Sequence, residues 1–108
     1  MQVDRRQAIE NSKKYAKLIN KHLKTEKIIL FGSFAKGNYT ENSDIDIAVI
    51  VDEISDDYLS KSILLNKLTR NIDYRIEPVL LDKNDDKSGF LSDIQLYGIT
   101  LFDCKSNN

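Results

Sequence analysis

Two aspartates separated by one residue, Asp44 and Asp46, open an apolar run that continues to Val51. In a β-strand, alternate side chains point to the same face, so both carboxylates would share a face with about 6.5–7 Å between their Cα atoms. At that spacing their oxygens can converge on shared cations, and without a cation they would repel each other. Carboxylate oxygens are the hard ligands that Mg²⁺ prefers. The pair therefore predicts a divalent-metal site.

A glycine-serine pair, Gly32-Ser33, lies ten residues before the aspartates and directly after another apolar run, 27–31. Glycine permits a sharp turn and the close approach of a ligand. Ser33 would offer a hydroxyl and a backbone N–H at the start of a helix, where phosphate binds readily. Lys36 could contact phosphate as a point charge or simply face solvent. Together with the aspartates, the pair predicts a metal-dependent phosphate site, because paired cations can hold a triphosphate.

The hydrophobic pattern predicts a chain of alternating helices and strands around this site. Gly37 and Gly98 are expected to end the second and fourth helices, and Pro78 in the third strand indicates either an edge strand or a bulge. The residues Ser55-Asp56-Asp57 are typical of a helix start. The expected elements are a helix at 4–24, a strand at 27–31, a helix at 33–36, a strand at 44–51, a helix from 55, a strand at 75–81, a helix at 90–97 and a strand at 99–102.

Helical spacing also predicts which faces are buried. The first helix should bury Ile9, Ala16, Ile19 and Leu23, joined by Ala8, Tyr15 and Leu18, and the third should bury Leu59, Ile63, Leu64, Leu68 and Ile72. The lysines at 13, 17 and 21 would form either a solvated face or a face that docks a partner. The fold class that follows is α+β, or mixed α/β: a small mixed sheet with helices packed on one side.

Size and composition restrict the function. A chain of 108 residues predicts one domain, here 1–103, followed by a polar C-terminal tail at 104–108. A net charge of −1 argues against nucleic acid as a direct substrate, although nine Lys and Arg in residues 1–36 leave room for an acidic partner. The absence of a long apolar stretch argues against a membrane span or signal segment. The single cysteine, Cys104, excludes an internal disulfide framework, and a cytoplasmic location is expected.

The two motifs follow a fixed order: Gly32-Ser33, then ten residues, then Asp44-Ile45-Asp46. This order resembles the signature of the nucleotidyltransferase superfamily that includes DNA polymerase beta. It is most similar to the minimal nucleotidyltransferase (MNT) branch, and the resemblance extends over most of the chain. The resemblance implies that Gly32, Ser33 and Lys36 bind a nucleoside triphosphate, expected to be ATP. It also implies that Asp44 and Asp46 are catalytic residues that bind Mg²⁺, as two ions.

The family usually carries a third carboxylate on a later strand, as a base or a further metal ligand. Glu77 and Asp73 are the candidates here. Glu77 is preferred because it lies inside the expected strand at 75–81, whereas Asp73 lies at the helix-to-strand junction. Pro78 departs from the simplest family pattern, and the alternative for Glu77 is an ion pair with Arg75 or a lysine.

Three functions are compatible with this sequence. The first is transfer of AMP from ATP to a hydroxyl, and the resemblance implies an antitoxin that modifies a partner HEPN toxin in a toxin–antitoxin pair. The second is a non-catalytic module that binds nucleotide or neutralises a toxin by binding. The third, modification of a small molecule such as an antibiotic, ranks last because those enzymes carry a further helical domain. A free sheet edge would also allow the chain to pair with a second copy.

Overall fold

The computed structural model describes residues 5–54, 57–85 and 88–106. Within these ranges, helices and strands alternate as the sequence predicts. The elements are α1 (Arg5–Asn20), β1 (Lys27–Phe31), α2 (Ser33–Lys36), β2 (Ile45–Val51), α3 (Tyr58–Thr69), β3 (Ile76–Asp82), α4 (Phe90–Tyr97) and β4 (Ile99–Asp103), followed by a 3-10 helix at Cys104–Ser106.

The four strands form one mixed sheet in the order β3-β2-β1-β4. β1 is antiparallel to both β2 and β4, whereas β2 and β3 are parallel and are connected through α3. β3 is an edge strand, which is the position where a residue such as Pro78, without a backbone N–H, is tolerated. The predicted mixed α/β class and the edge position of the third strand are both confirmed.

The two faces of the sheet bury different sets of apolar side chains. The larger core lies against α1 and α3 and includes Ile28, Leu30, Ile45, Ile47 and Val49. On the opposite face, Ile29, Ala48 and Ile50 pack against Leu91 and Ile94 of α4. The expectation that all helices lie on one side is therefore corrected for α4. The physical reason is that β1 and β2 are apolar on both faces, so the second face needs a cover of its own.

The apolar face of α1 is confirmed, with Tyr15 and Ile19 fully buried. The Tyr15 hydroxyl donates a hydrogen bond to the Leu65 carbonyl (2.6 Å), which ties α1 to α3. The helix ends at Asn20 rather than at residue 24, and the chain continues in a turn in which the Leu23 N–H still bonds to the Ile19 carbonyl (2.8 Å). Leu23 keeps its place against the core. The three lysines at 13, 17 and 21 are exposed.

The predicted buried stripe of α3 is partly wrong. Leu59 and Ile63 are 70% and 49% exposed, whereas Leu65, which was not expected in the core, is 1% exposed. Leu68 is buried as predicted. The reason is that α3 is apolar over most of its circumference, so several stripes fit the sequence and the contact with α1 decides among them. The helix begins at Tyr58 with Asp57 as its N-cap, and the two residues before Asp57 lie outside the described residues.

Strand ends differ from the sequence prediction by one residue. β2 begins at Ile45 rather than 44, β3 runs from Ile76 to Asp82, and β4 continues to Asp103. Residues 86–87, between β3 and α4, lie outside the described residues. No helix in the described part of the chain has both the length and the apolar character needed to cross a membrane.

The orientation of α3 makes a stability prediction. Leu65→Ala should lower the free energy of unfolding by about 2–5 kcal/mol, because it leaves a cavity in the core. Leu59→Ala should change it by no more than about 0.5 kcal/mol, since that side chain is exposed. Urea denaturation of both variants and the parent protein measures the difference. Equal losses for the two variants would contradict this orientation of α3.

Candidate active site

The turn between β1 and α2 brings Gly32 against the carboxylate of Asp46. Gly32 has φ 76° and ψ −155°, a conformation open essentially only to glycine. A Cβ atom built at this position would overlap Oδ2 of Asp46. Glycine is therefore needed here twice, for its backbone angles and for the space that the carboxylate occupies.

The short helix α2 starts at Ser33 and ends, as predicted, at a left-handed Gly37, whose N–H bonds to the Ser33 carbonyl (2.8 Å). Its far end is held by α1. The Arg5 guanidinium donates from Nε to the Phe34 carbonyl (2.7 Å) and from Nη2 to the Ala35 carbonyl (3.0 Å). Because these carbonyls lie at the end of the helix, Arg5 satisfies groups that would otherwise lack partners.

A second arginine holds α2 from the side of β3. The Arg75 guanidinium carbon lies 5.8 Å from the centroid of the fully buried Phe34 ring, which stacks on Tyr39 at a centroid distance of 4.8 Å. A cation over an aromatic face is attracted by the ring. Arg75 and Arg5 together fix the position of α2, and with it the position of the Gly32 turn.

A row of three side chains crosses the sheet next to this turn. Phe31 of β1 is the register partner of Asp46, and Asp46 is the register partner of Glu77 on β3. Neighbouring strands lie about 4.8 Å apart, and register partners share a face of the sheet. Along β2, Asp46 alternates with Ile45 and Ile47, which face the larger core against α1 and α3. The row of Phe31, Asp46 and Glu77 therefore lies on the opposite face of the sheet, which α4 covers.

The other predicted aspartate, Asp44, lies one residue before β2 and is exposed. It still acts on Asp46. Burial raises the pKa of Asp46 above its ordinary value, and the negative charges of Asp44 and Glu77 raise this pKa further. The structure therefore brings the three predicted carboxylates into one electrostatic site, in which adding a positive charge would be favourable.

The oxygen-only donor set of this site suits Mg²⁺. Within residues 5–54, 57–85 and 88–106, no three His, Cys, Asp or Glu side chains form a ready-made metal cluster. The residues fit a divalent cation in charge and chemistry, with the carboxylates of Asp44, Asp46 and Glu77 as its candidate ligands.

Asp73, the alternative third carboxylate, is engaged elsewhere. It accepts hydrogen bonds from the Arg75 side chain (2.8 and 3.1 Å) and from Nδ2 of Asn11 (3.1 Å). Burial alone would raise the pKa of Asp73, but the hydrogen bonds and charge of Arg75, with the bond from Asn11, lower it instead. Arg75 is thus paired with Asp73, and no ion pair to Glu77 occurs among the described residues. The geometry favours Glu77 over Asp73.

A cleft opens beside the row, between the Gly32 turn and α4, with a volume of about 250 Å³. Gly32 and the exposed Lys36 form one wall. The Phe31 and Phe90 rings also line the cleft and contact each other edge to face, with centroids 5.6 Å apart. Opposite the wall of Gly32 and Lys36, the α4 side chains that line the cleft include Asp93 and Tyr97. A larger groove of about 630 Å³ between α1 and β4 contains none of the three carboxylates of the site.

Sequence reasoning missed the contribution of α4 to this cleft, and also the contacts of Arg5. The available signal for α4 was its spacing, because Phe90, Asp93 and Tyr97 follow positions i, i+3 and i+7 on one helical face. Nothing in the sequence indicates that Arg5 reaches α2, since the two lie about 30 residues apart.

Comparison with known proteins agrees with this geometry. The polymerase beta nucleotidyltransferase family matches residues 13–107. The putative protein adenylyltransferase MJ0141 of Methanocaldococcus jannaschii is 32% identical over 95 residues, which cover 84% of this chain and 95% of that protein.

Two solved structures share the fold. One is a toxin–antitoxin complex with AMP-PNP, with a TM-score of 0.68 at 27% identity, covering 90% of this chain and 77% of the matched chain. The other is a tri-AMPylated Shewanella oneidensis HEPN toxin in complex with an MNT antitoxin, with a TM-score of 0.62 at 24% identity, covering 93% and 76%. With the Gly32 turn, the Asp46–Glu77 pairing and the match over residues 13–107, the conclusion is that this chain belongs to the polymerase beta nucleotidyltransferase family.

Proposed function

We propose that this nucleotidyltransferase transfers AMP from ATP to a hydroxyl group on a partner HEPN toxin in the cytoplasm, and so acts as an antitoxin. The observation that carries the proposal is the pairing of Asp46 with Glu77 directly beside the Gly32 turn. The relative named as a putative protein adenylyltransferase supports AMP as the transferred group. The solved complexes of toxin with antitoxin support a toxin as the acceptor.

Asp44 and Asp46 would hold Mg²⁺, as two ions, with Glu77 close enough to share in binding. Bound divalent cations supply positive charge that neutralises a triphosphate and its departing pyrophosphate. The raised pKa of Asp46 supports this assignment, because it reports a site that disfavours its own negative charge. Gly32 and Ser33 would bind the β- and γ-phosphates through the backbone of the turn, and the Lys36 ammonium would pair with a phosphate oxygen.

The transfer itself needs a base and an open path for the acceptor. Glu77 is exposed, so an incoming hydroxyl can reach it. Glu77 accepts the proton of that hydroxyl as its oxygen forms a bond to the α-phosphorus, and the bond from this phosphorus to pyrophosphate breaks. Pyrophosphate leaves with the electron pair of the broken bond, and Glu77 then returns its proton to solvent.

The carboxylates make a direct activity prediction. Asp46→Asn and Glu77→Gln should each lower AMP transfer by about a hundredfold or more, since loss of metal charge or of the base removes several kcal/mol of transition-state stabilisation. Glu41→Gln, an exposed acid in the loop before β2, should retain full transfer. The measurement is the mass gain of the toxin after incubation with ATP and Mg²⁺. If Asp46→Asn protects cells from the toxin as well as the parent does, the chain acts by binding instead.

The Asp46 pKa makes a prediction about stability and pH. A raised pKa means that the folded chain binds the proton of Asp46 more tightly than the unfolded chain does. The stability that protonated Asp46 contributes is therefore lost as pH rises through the folded-state pKa of this carboxyl. In EDTA, Asp46→Asn should therefore melt at a higher temperature than the parent at pH 7. The gain should disappear as pH falls below 3.8, the ordinary value. Mg²⁺ should raise the melting temperature of the parent more than that of the variant. A less stable variant at pH 7 would contradict this.

The two glycines that flank α2 allow a matched test of the turn. Gly37→Ala should destabilise the chain by about 1–2 kcal/mol, because its φ is 89°, but it should retain transfer since its Cβ would meet open space. Gly32→Ala carries a larger backbone cost, because φ 76° with ψ −155° is open essentially only to glycine, and it also displaces the Asp46 carboxylate, so it should abolish transfer. Thermal melts and the toxin-modification assay separate the two effects. Retained transfer by Gly32→Ala would exclude this role of the turn.

A further inference from the structure

The cleft between the Gly32 turn and α4 has one polar wall and one aromatic wall. Gly32 and Lys36 belong both to this cleft and to the proposed triphosphate site. The Phe31 ring lies at the other side, and Phe31 is the register partner of Asp46. A molecule bound to the phosphate wall therefore has the aromatic wall as its nearest remaining surface.

The aromatic wall is incompletely covered by the fold. Phe90 is 42% exposed and Tyr97 is 63% exposed, and both lie on the face of α4 that lines the cleft. Phe90 makes an edge-to-face contact with Phe31, so that its position is fixed while part of its ring stays open. Exposed aromatic rings in a concave site offer flat surfaces on which a planar heterocycle can stack.

The volume of the cleft limits what can fill it. About 250 Å³ is below the range of about 300–1,000 Å³ that is usual for drug-sized ligands. A ligand that fills the cleft is therefore small, on the scale of one nucleoside, and charged groups attached to it would lie along the wall of Gly32 and Lys36.

We propose that this cleft is the nucleoside subsite of the enzyme, in which the base of the bound nucleotide stacks on Phe90 and Tyr97. The inference rests on the proposed function for the presence of a nucleoside triphosphate, and it adds the residues of α4 that bind the base. α4 thus has two roles: Leu91 and Ile94 cover the sheet, and the aromatic residues at its two ends contact the substrate.

The test compares two probes that share their phosphates and differ in the base. Calorimetry with Mg²⁺ measures the affinity of each protein for ATP and for inorganic tripolyphosphate. Tyr97→Ala and Phe90→Leu should each weaken ATP binding by about 5- to 150-fold, the range expected for loss of base–aromatic stacking. Neither substitution should weaken tripolyphosphate binding, because that probe has no base. Phe90→Leu keeps an apolar side chain against Phe31, which preserves the fold.

Leu96→Ala is the matched control, because Leu96 lies on the same helix, is 72% exposed and does not line the cleft. It should bind both probes like the parent. Unchanged ATP affinity in both Tyr97→Ala and Phe90→Leu would overturn the proposed nucleoside subsite. If these variants also lost transfer to the toxin while their ATP affinity stayed unchanged, the cleft would instead bind the acceptor. A parent protein that binds neither probe would instead refute the proposed function.

Discussion

The close contact between Gly32 and the Asp46 carboxylate is the constraint on which the site depends. The carboxylate fills the space that any other residue's Cβ would occupy, so the turn and the strand fit together at only one distance. The antiparallel register of β1 and β2 sets that distance by pairing Phe31 with Asp46. An error of one residue in this pairing would turn Asp46 to the opposite face of the sheet, into the core.

Much of the remaining structure holds Gly32 against the Asp46 carboxylate, although the neighbouring carboxylates disfavour the negative charge of Asp46. The negative charges of Asp44 and Glu77 act on Asp46 near the start of β2, and in the part of the chain that the structure describes none of these three carboxylates forms an ion pair. The two well-placed arginines are used differently: Arg5 binds the carbonyls of α2, and Arg75 pairs with Asp73 beside the Phe34 ring. A bound cation would relieve this repulsion, and the oxygen-only donor set of the three carboxylates suits Mg²⁺.

The sequence was a good guide to the elements and to the central motif. Strand alternation predicted that Ile45, Ile47 and Val49 face away from Asp46, because a period of two is a local property of the chain. The preference for Glu77 over Asp73 rests on the place of Glu77 inside a strand, and the role of Glu77 in the site stays a prediction. The spacing of the glycine-serine pair and the two aspartates carried the family resemblance, and the family match agrees with it.

What the sequence did not indicate depends on contacts between distant segments. The buried face of α3 is selected by Tyr15 of α1, and the sequence of α3 alone fits several faces. The placement of α4 on the second face follows from the apolar character of both sides of β1 and β2, and a local strand pattern does not indicate which element covers each side. Arg5 and the aromatic side chains of α4 reach the site by tertiary packing. No short sequence motif therefore predicts their positions.

The parallel pairing of β2 with β3 has a consequence for the order in which the chain folds. Asp46 meets its neighbour Phe31 through an antiparallel pairing over a short separation, but it meets Glu77 only after the whole α3 crossover has closed. Longer closures are slower to form, so the hairpin can assemble first with Asp44 and Asp46 at its end but without Glu77 beside them. The accumulation of negative charge is thereby postponed to a stage at which a formed core is already present to resist it.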